Sequence, residues 1–299
     1  MSRQVARLLL AATVALAAGG ALAAAPPTVV TGVDVGAPRS PGPPPPRPAV
    51  DAYVGSIAVM SLEGDQLAVW SRTALPVGPG GVPGPAGETI CPLFMGLPAD
   101  YARFVAERLR KVGQALGAPV ARKDCPKAAN NVIIVFPEDA KAFIDTLAKD
   151  KPQAFGFRDH EALVLDLQKP VRPIHAWYGV KTVVDGGIGS RLTTPYRSYI
   201  YQVMIVVDRD RTDALDMGQL ADYLAMVALA QVNPDAAPPA AHSILGVFND
   251  VAAGRPPADG MTRMDAAYLQ ALYAIGPHQH GSMQESQITS RILAALAKH

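Results

Sequence analysis

Six histidines and two cysteines are this chain's potential metal ligands and nucleophiles, and a few carboxylates in apolar surroundings are its potential acids and bases. The stretch Gln219–Asp235, QLADYLAMVALAQVNPD, holds the most suggestive of them. Asp222 stands in a helical run where Leu220, Tyr223, Leu224, Met226 and Val227 cover most of the circumference. A helix apolar nearly all round lies in the middle of its domain. A carboxylate inside it must find a donor or a wet edge, and one left free could serve as a base. Asp208 and Asp210, in the charged run DRDRTD just upstream, could join Asp222 in a hydrolytic site.

The histidines lie elsewhere. His278 and His280, in GPHQHGSM with Met283 nearby, offer imidazole and thioether, which suit copper or zinc. Their Gly- and Pro-rich setting between two expected helices reads more simply as a solvated loop. In RPIHAWYG, the residues Arg172, His175, Trp177 and Tyr178 could line a ligand groove; the plainer reading is a sheet strand, with Trp177 and Tyr178 on opposite faces. His160, between Asp159 and Glu161, reads as a surface turn, and His242 as the head of a helix. DGGIGSR, Asp185–Arg191, lacks the lysine of a phosphate-binding loop and reads as a hairpin turn or loop. There is no G-x-S-x-G elbow, no supported Ser/His/Asp order and no nucleic-acid motif. No cofactor is expected.

The bulk numbers narrow the classes further. Of the 299 residues, 49% are hydrophobic and 18% charged, and the net charge is +1. Such balance leaves no global electrostatic footprint for nucleic acid or an anionic membrane. Arg3 and Arg7, the apolar run Leu8–Ala18 and Ala21-Leu22-Ala23 have the form of a signal peptide cleaved after Ala23. The protein is thus expected in the periplasm or secreted, with no stable membrane span after cleavage. In an oxidising compartment Cys91 and Cys125 are expected to pair, which restrains the unfolded chain by about 4 kcal/mol on the entropic model.

These residues need elements to hold them. Residues 24–50 are proline-rich and expected to be an extended linker. Tyr53–Trp70 alternates and suggests two strands around a Gly64-Asp65 turn. Val77–Gly87 is a Gly/Pro connector, with the main domain, 88–299, beyond it. There, a helix is expected from Asp100 as N-cap to Gly117, with Arg108–Lys111 on its wet face. Asn131–Phe136, Ala162–Leu167, Ile174–Val180 and Arg197–Val207 read as strands, and Glu138–Lys149 and Gln219–Gln231 as helices. Shorter helices are expected near Ser243–Val251, Met264–Tyr273 and Glu285–Lys298. The layout is α/β or α+β.

The order Ile205-Val206-Val207-Asp208, long helix, Ser243-Ile244-Leu245, then Met261–Tyr273 with Asp265, Leu269, Leu272 and Tyr273, resembles the metzincin-type zinc peptidases, matrixins above all. In that family a strand precedes an H-E-x-x-H-x-x-G-x-x-H helix, a serine-methionine turn and a helix of the form L-x-x-D-x-x-x-I-x-x-L-Y. The chain is similar also to an uncharacterised family of exported bacterial proteins that keeps this layout with the metal ligands replaced. The resemblance implies a zincin-like domain with a mixed sheet, a central buried helix and a C-terminal helical part. It does not carry the zinc. With Asp222 and Tyr223 on the H-E pair, Met226 and Val232 fall on the other ligand positions; one residue earlier, Ala225 and Gln231 do. Catalytic zinc needs three nitrogen or oxygen donors, and neither register supplies an imidazole.

The expectation is therefore a non-catalytic binding or structural module of the cell envelope, whose partner is an envelope protein or peptide. Its cleft candidates are Asp222, Tyr223, Met226 and the turn from Ser243 to Phe248. The competing expectations are an envelope hydrolase built on Asp208, Asp210 and Asp222, and a copper-handling protein using His278, His280 and Met283.

Overall fold

The computed structural model describes residues 45–61, 65–70, 89–121, 125, 130–155, 160–168, 172–184, 188–233, 236, 238, 243–276 and 278–298. The expected signal peptide, Gly64, the 77–87 connector, His242 and residues 185–187 lie outside them.

In chain order the elements are α1 (Arg47–Ile57), β1 (Val69–Trp70), β2 (Pro92–Met95), α2 (Ala99–Ala115), β3 (Val132–Val135), α3 (Ala140–Asp150), α4 (His160–Leu167), β4 (Ile174–Val184), β5 (Tyr196–Val207), α5 (Arg209–Thr212), α6 (Met217–Leu229), α7 (Val247–Ala252), α8 (Arg263–Leu272) and α9 (Gly281–Leu296). The fold is mixed α/β. β5 is the hub of the sheet. One edge pairs antiparallel with β4 along its whole length. The other pairs in parallel with β3 at Val203–Val206 and with β1 at Tyr199–Ile200. β2 adds in parallel outside β3.

The central strands read VIIV and VMIVV because both faces are covered. Their alternate side chains enter two separate cores. Val132, Ile134, Val203, Ile205 and Val207 join the larger core with α1, α2, α6, α8 and α9. Ile133, Val135, Met204 and Val206 join a smaller one with α3 and α4. Trp177 enters the smaller core and stacks on Phe155 at 4.9 Å. Tyr178 packs on the larger, so the two aromatics occupy opposite faces as the strand reading requires. Cys91 and Cys125 form the expected disulfide, Cα–Cα 5.7 Å. The Cys91 N–H also donates to Asn131 Oδ1 at 2.8 Å, tying the start of β2 to β3.

Three local expectations need correction. The first of the two strands expected over Tyr53–Trp70 is a helix, and it begins inside the expected linker at Arg47. Val50, Tyr53, Val54 and Ile57 are its buried face, at helical spacing, and Pro48 is tolerated in the first turn, where its missing N–H is not needed. Ala162–Leu167, expected as a strand, belongs to α4. An apolar run that short does not distinguish the two periods. Asp100 is not the N-cap of α2; Pro98 is, and Asp100 lies in the first turn, where it suits the helix dipole. Gly117 does end that helix, with φ +83°.

Candidate functional site

The central helix α6 starts with reciprocal capping. The Gln219 N–H donates to Asp216 Oδ1 at 2.8 Å, and the Asp216 N–H donates to Gln219 Oε1 at 3.0 Å. From Gln219 to Leu229 every residue is buried. Its far end is deep in the protein, where the last carbonyls of a helix have no intrahelical partner and no water. Three aromatic residues serve them: Tyr178 OH donates to Val227 O at 2.9 Å, Trp70 Nε1 to Ala228 O at 2.9 Å and Tyr273 OH to Leu229 O at 2.6 Å. They come from β4, β1 and the end of α8.

The four cleft candidates are all interior: Asp222 is 1% exposed, Tyr223 8%, Met226 0% and Ser243 0%. Asp222 accepts Arg108 Nε on Oδ1 at 2.5 Å, Arg108 Nη2 on Oδ2 at 2.8 Å and the Met261 N–H on Oδ2 at 2.8 Å. The carboxylate is thereby neutralised and joins α2, α6 and the segment entering α8. Gly260 is part of this fit, since a Cβ there would lie 2.7 Å from Asp222 Oδ2. Arg108 was expected on the wet face. It stands three residues after buried Val105 and four before buried Val112, which puts it at the border of the apolar face, within reach of α6. The Tyr223 ring meets Phe248 edge-on at 5.0 Å, and burial pushes its hydroxyl above the ordinary tyrosine value.

Ser243 belongs to a second polar knot, centred on Asp265, which is 0% exposed. Ser243 Oγ donates to Asp265 Oδ1 at 2.7 Å, and Tyr53 OH donates to the same oxygen at 2.8 Å. Oδ2 accepts the Ile244 N–H at 2.8 Å, the Thr262 N–H at 2.9 Å and Thr262 Oγ1 at 2.8 Å. Five donors from α1, the turn at Ser243 and the start of α8 thus converge on one carboxylate. Burial raises the Asp265 carboxyl above its usual range, against the pull of those hydrogen bonds. The turn, a 3₁₀ helix over Ile244–Gly246, packs against α6. The spacing of Thr262 and Asp265 fits a capping box, a signal the expected helix near Met264–Tyr273 did not draw on; the reach of Asp265 to Tyr53 has no sequence signal.

The other candidates are dispersed. Asp208 pairs with Arg211 at 3.1 Å, while Asp222 has Arg108. Arg172 pairs with Asp166 at 2.6 Å. His175 is buried beside it, without a partner for Nδ1, and its pKa is lowered by burial first and by Arg172 next. His280 lies 4.0 Å from Asp65, and its Nε2 is 3.4 Å from Ser190 O, while Met283 is 38% exposed. Among the described residues no group of three or more His, Cys, Asp or Glu could hold a metal ion.

Compared with known proteins, the chain matches no family model, and neither a curated protein nor a solved structure is significantly similar to it.

Proposed function

We propose that the chain is an exported, non-catalytic binding or structural module of the cell envelope, built on a zincin-like frame. What carries this reading is the state of the polar groups around α6. Asp222 is occupied by a guanidinium and a backbone N–H, and Asp265 by five donors. General acid–base work needs a group within hydrogen-bond reach of a substrate proton, and these groups are turned inward and dry. The zincin-like ancestry is supported by order: strand, buried helix, a serine turn packed on that helix, and a following helix whose aspartate grips the turn. Export is supported by the Arg3–Ala23 pattern and by the Cys91–Cys125 disulfide.

The test uses the mature chain, purified from an exporting host. Its N-terminus should be Ala24, its metal content substoichiometric, and its hydrolysis of a broad peptide mixture unaffected by chelator. Stoichiometric zinc lost together with a hydrolytic activity overturns the non-catalytic reading in favour of the hydrolase. A mature protein that retains Met1 overturns export.

A further inference from the structure

We propose that the outer edge of β4 is a docking surface for a segment of this same chain, Thr28–Val35, which adds to the sheet as a further strand. The inference does not depend on the zincin-like reading. β4 is 11 residues long and is bonded to β5 alone; among the described residues no strand pairs with its other edge. In such a ladder every second residue turns its N–H and C=O away from the neighbouring strand. A long open edge is a template for another strand, and proteins cover, bend or charge such edges. β4 carries two of these devices, a register shift between Gly179 and Val180 and the exposed Lys181 just beyond it. Past the shift its apolar side chains are only partly covered: Val180 and Val183 are half-buried and Val184 is 66% exposed.

The occupant is argued from the sequence. Residues 28–35 lie outside the described residues, in the part of the chain that leads to α1. They read TVVTGVDV, between Pro26-Pro27 and Gly36-Ala37-Pro38. All but Gly32 and Asp34 are β-branched, which is the composition of a strand rather than of a linker. A proline-free segment of this kind left without a partner is an aggregation hazard, and so is an open edge; each removes the other's liability. Charge completes the match. Asp34 is the only charged residue of the segment, and Lys181 is the only Lys, Arg, Asp or Glu of β4. Opposite charges on neighbouring strands fix a register. The β4 edge of a second copy would bring no acid to Lys181, so an edge-to-edge pair of copies lacks this match.

The tether is long enough. The end of α1 lies close to β4, because Ile57 O accepts the Asn233 N–H at 2.9 Å and the Tyr178 hydroxyl oxygen accepts the Val232 N–H at 3.4 Å. α1 is about 16 Å long, so Arg47 at its start is not far removed from the same strand. The connection Gly36–Pro46 spans up to roughly 35 Å when extended, and its prolines favour the extended form. A segment joined by so short a tether meets its own sheet at a high effective concentration. Main-chain hydrogen bonds along the edge then supply the affinity, and the alternate side chains of the added strand supply the specificity.

The test is amide hydrogen exchange of the mature protein, read by mass spectrometry, with and without the paired substitutions Val30→Pro and Val33→Pro. These positions have opposite parity, so one of them must turn its N–H toward β4, and proline has none. In the wild type, residues 28–35 and 180–184 should exchange at least about tenfold more slowly than in the double-proline variant. Exchange across β3 should be the same in both, which verifies that the body stays folded. Asp34→Lys should speed exchange at 180–184 about threefold, and adding Lys181→Asp should restore the wild-type rate, because only a direct pair is rescued by swapping its charges. Equal exchange at 180–184 in the wild type and the double-proline variant overturns the proposal and leaves the edge to some other strand. Protection that fades on dilution, together with a dimer in sedimentation velocity that the prolines abolish, overturns it as well, because the segment would then sit on a second copy.

Discussion

Of the three buried aspartates among the described residues, Asp222 and Asp265 flank the turn at Ser243 and are stabilised in different ways. Asp222 has a counter-ion: the Arg108 guanidinium reaches it from α2, and the pair lies at the core's margin, with the Arg108 side chain still 16% exposed. Asp265 has no cation among its partners. Its charge is spread over five neutral donors, and it has no exposed surface at all. A buried charge must be paired or fully hydrogen-bonded, and this molecule uses one solution at each knot. In both, the carboxylate is cement between distant segments: α2, α6 and Met261 at one, α1, the Ser243 turn and α8 at the other. An ion pair can be replaced by a well-packed neutral pair at modest cost. A convergence of five donors cannot, because each is orphaned when the acceptor goes.

Asp265→Ala should therefore have the largest effect. It strands Tyr53 OH, Ser243 OH, Ile244 N–H and both Thr262 donors in a dry interior, for a loss of roughly 5 kcal/mol or more. That is comparable to the whole stability of an ordinary domain. The measurement is urea unfolding of the mature, disulfide-bonded protein. A loss smaller than that of any Asp222 variant would reverse the ranking of the two knots.

Arg108→Met comes next. It leaves Asp222 as an uncompensated buried charge, which costs about 3–5 kcal/mol. Adding Asp222→Asn should restore most of the loss, because asparagine keeps an acceptor for the Met261 N–H and carries no charge. If the double variant is no more stable than Arg108→Met alone, the guanidinium is acting through packing of its stem and the ion-pair account fails.

These knots also mark how far the sequence could be read. The long strands and helices were legible, since Val203–Val207 and Gln219–Leu229 are apolar runs whose length selects the element. The burial of α6 followed from a helix apolar all round, whereas whether Asp222 met a donor or a wet edge stayed open. Its partner had no sequence signal: Arg108 is 114 residues away, and charge on an amphipathic helix ordinarily faces water. Tyr53 was read as strand because Tyr53–Leu62 alternates loosely, although Val50, Tyr53, Val54 and Ile57 also repeat at helical steps. Its bond to Asp265, 212 residues on, is tertiary information. The aromatic caps of α6 are likewise invisible locally, because Trp70, Tyr178 and Tyr273 meet only after the sheet has formed.

A smaller change sharpens the comparison from the donor side. Tyr53→Phe removes one of the five donors from Asp265 and nothing else of the ring. A hydrogen bond to a charged group is worth about 1.5–3 kcal/mol, and the four remaining donors place this loss near the lower end. A loss as large as that of Asp265→Ala would mean that Tyr53 alone holds the knot.

The smallest effect is on the sheet's other face, and it concerns pH. Burial raises the Asp265 carboxyl, so the folded state takes up that proton more readily than the unfolded chain. Its contribution therefore favours folding below the unfolded value of 3.8 and is lost as pH rises through the folded one. His175 has the opposite sign. Its pKa is lowered from 6.5 by burial and by Arg172 and Arg211, with Asp208 and the Leu167 backbone opposing. The unfolded chain then binds the His175 proton first, so stability should fall as pH drops below about 6.5 and level off once the folded state is also protonated. His175→Gln keeps a side-chain donor for the Leu167 backbone and removes the titration. Its unfolding free energy should stay flat across the range where the wild type declines. The Tyr53 and Arg108 variants should keep the decline that comes from His175, because neither substitution touches that imidazole. Equal slopes in wild type and His175→Gln would assign the decline to another group and leave the smaller core without a pH-sensitive member.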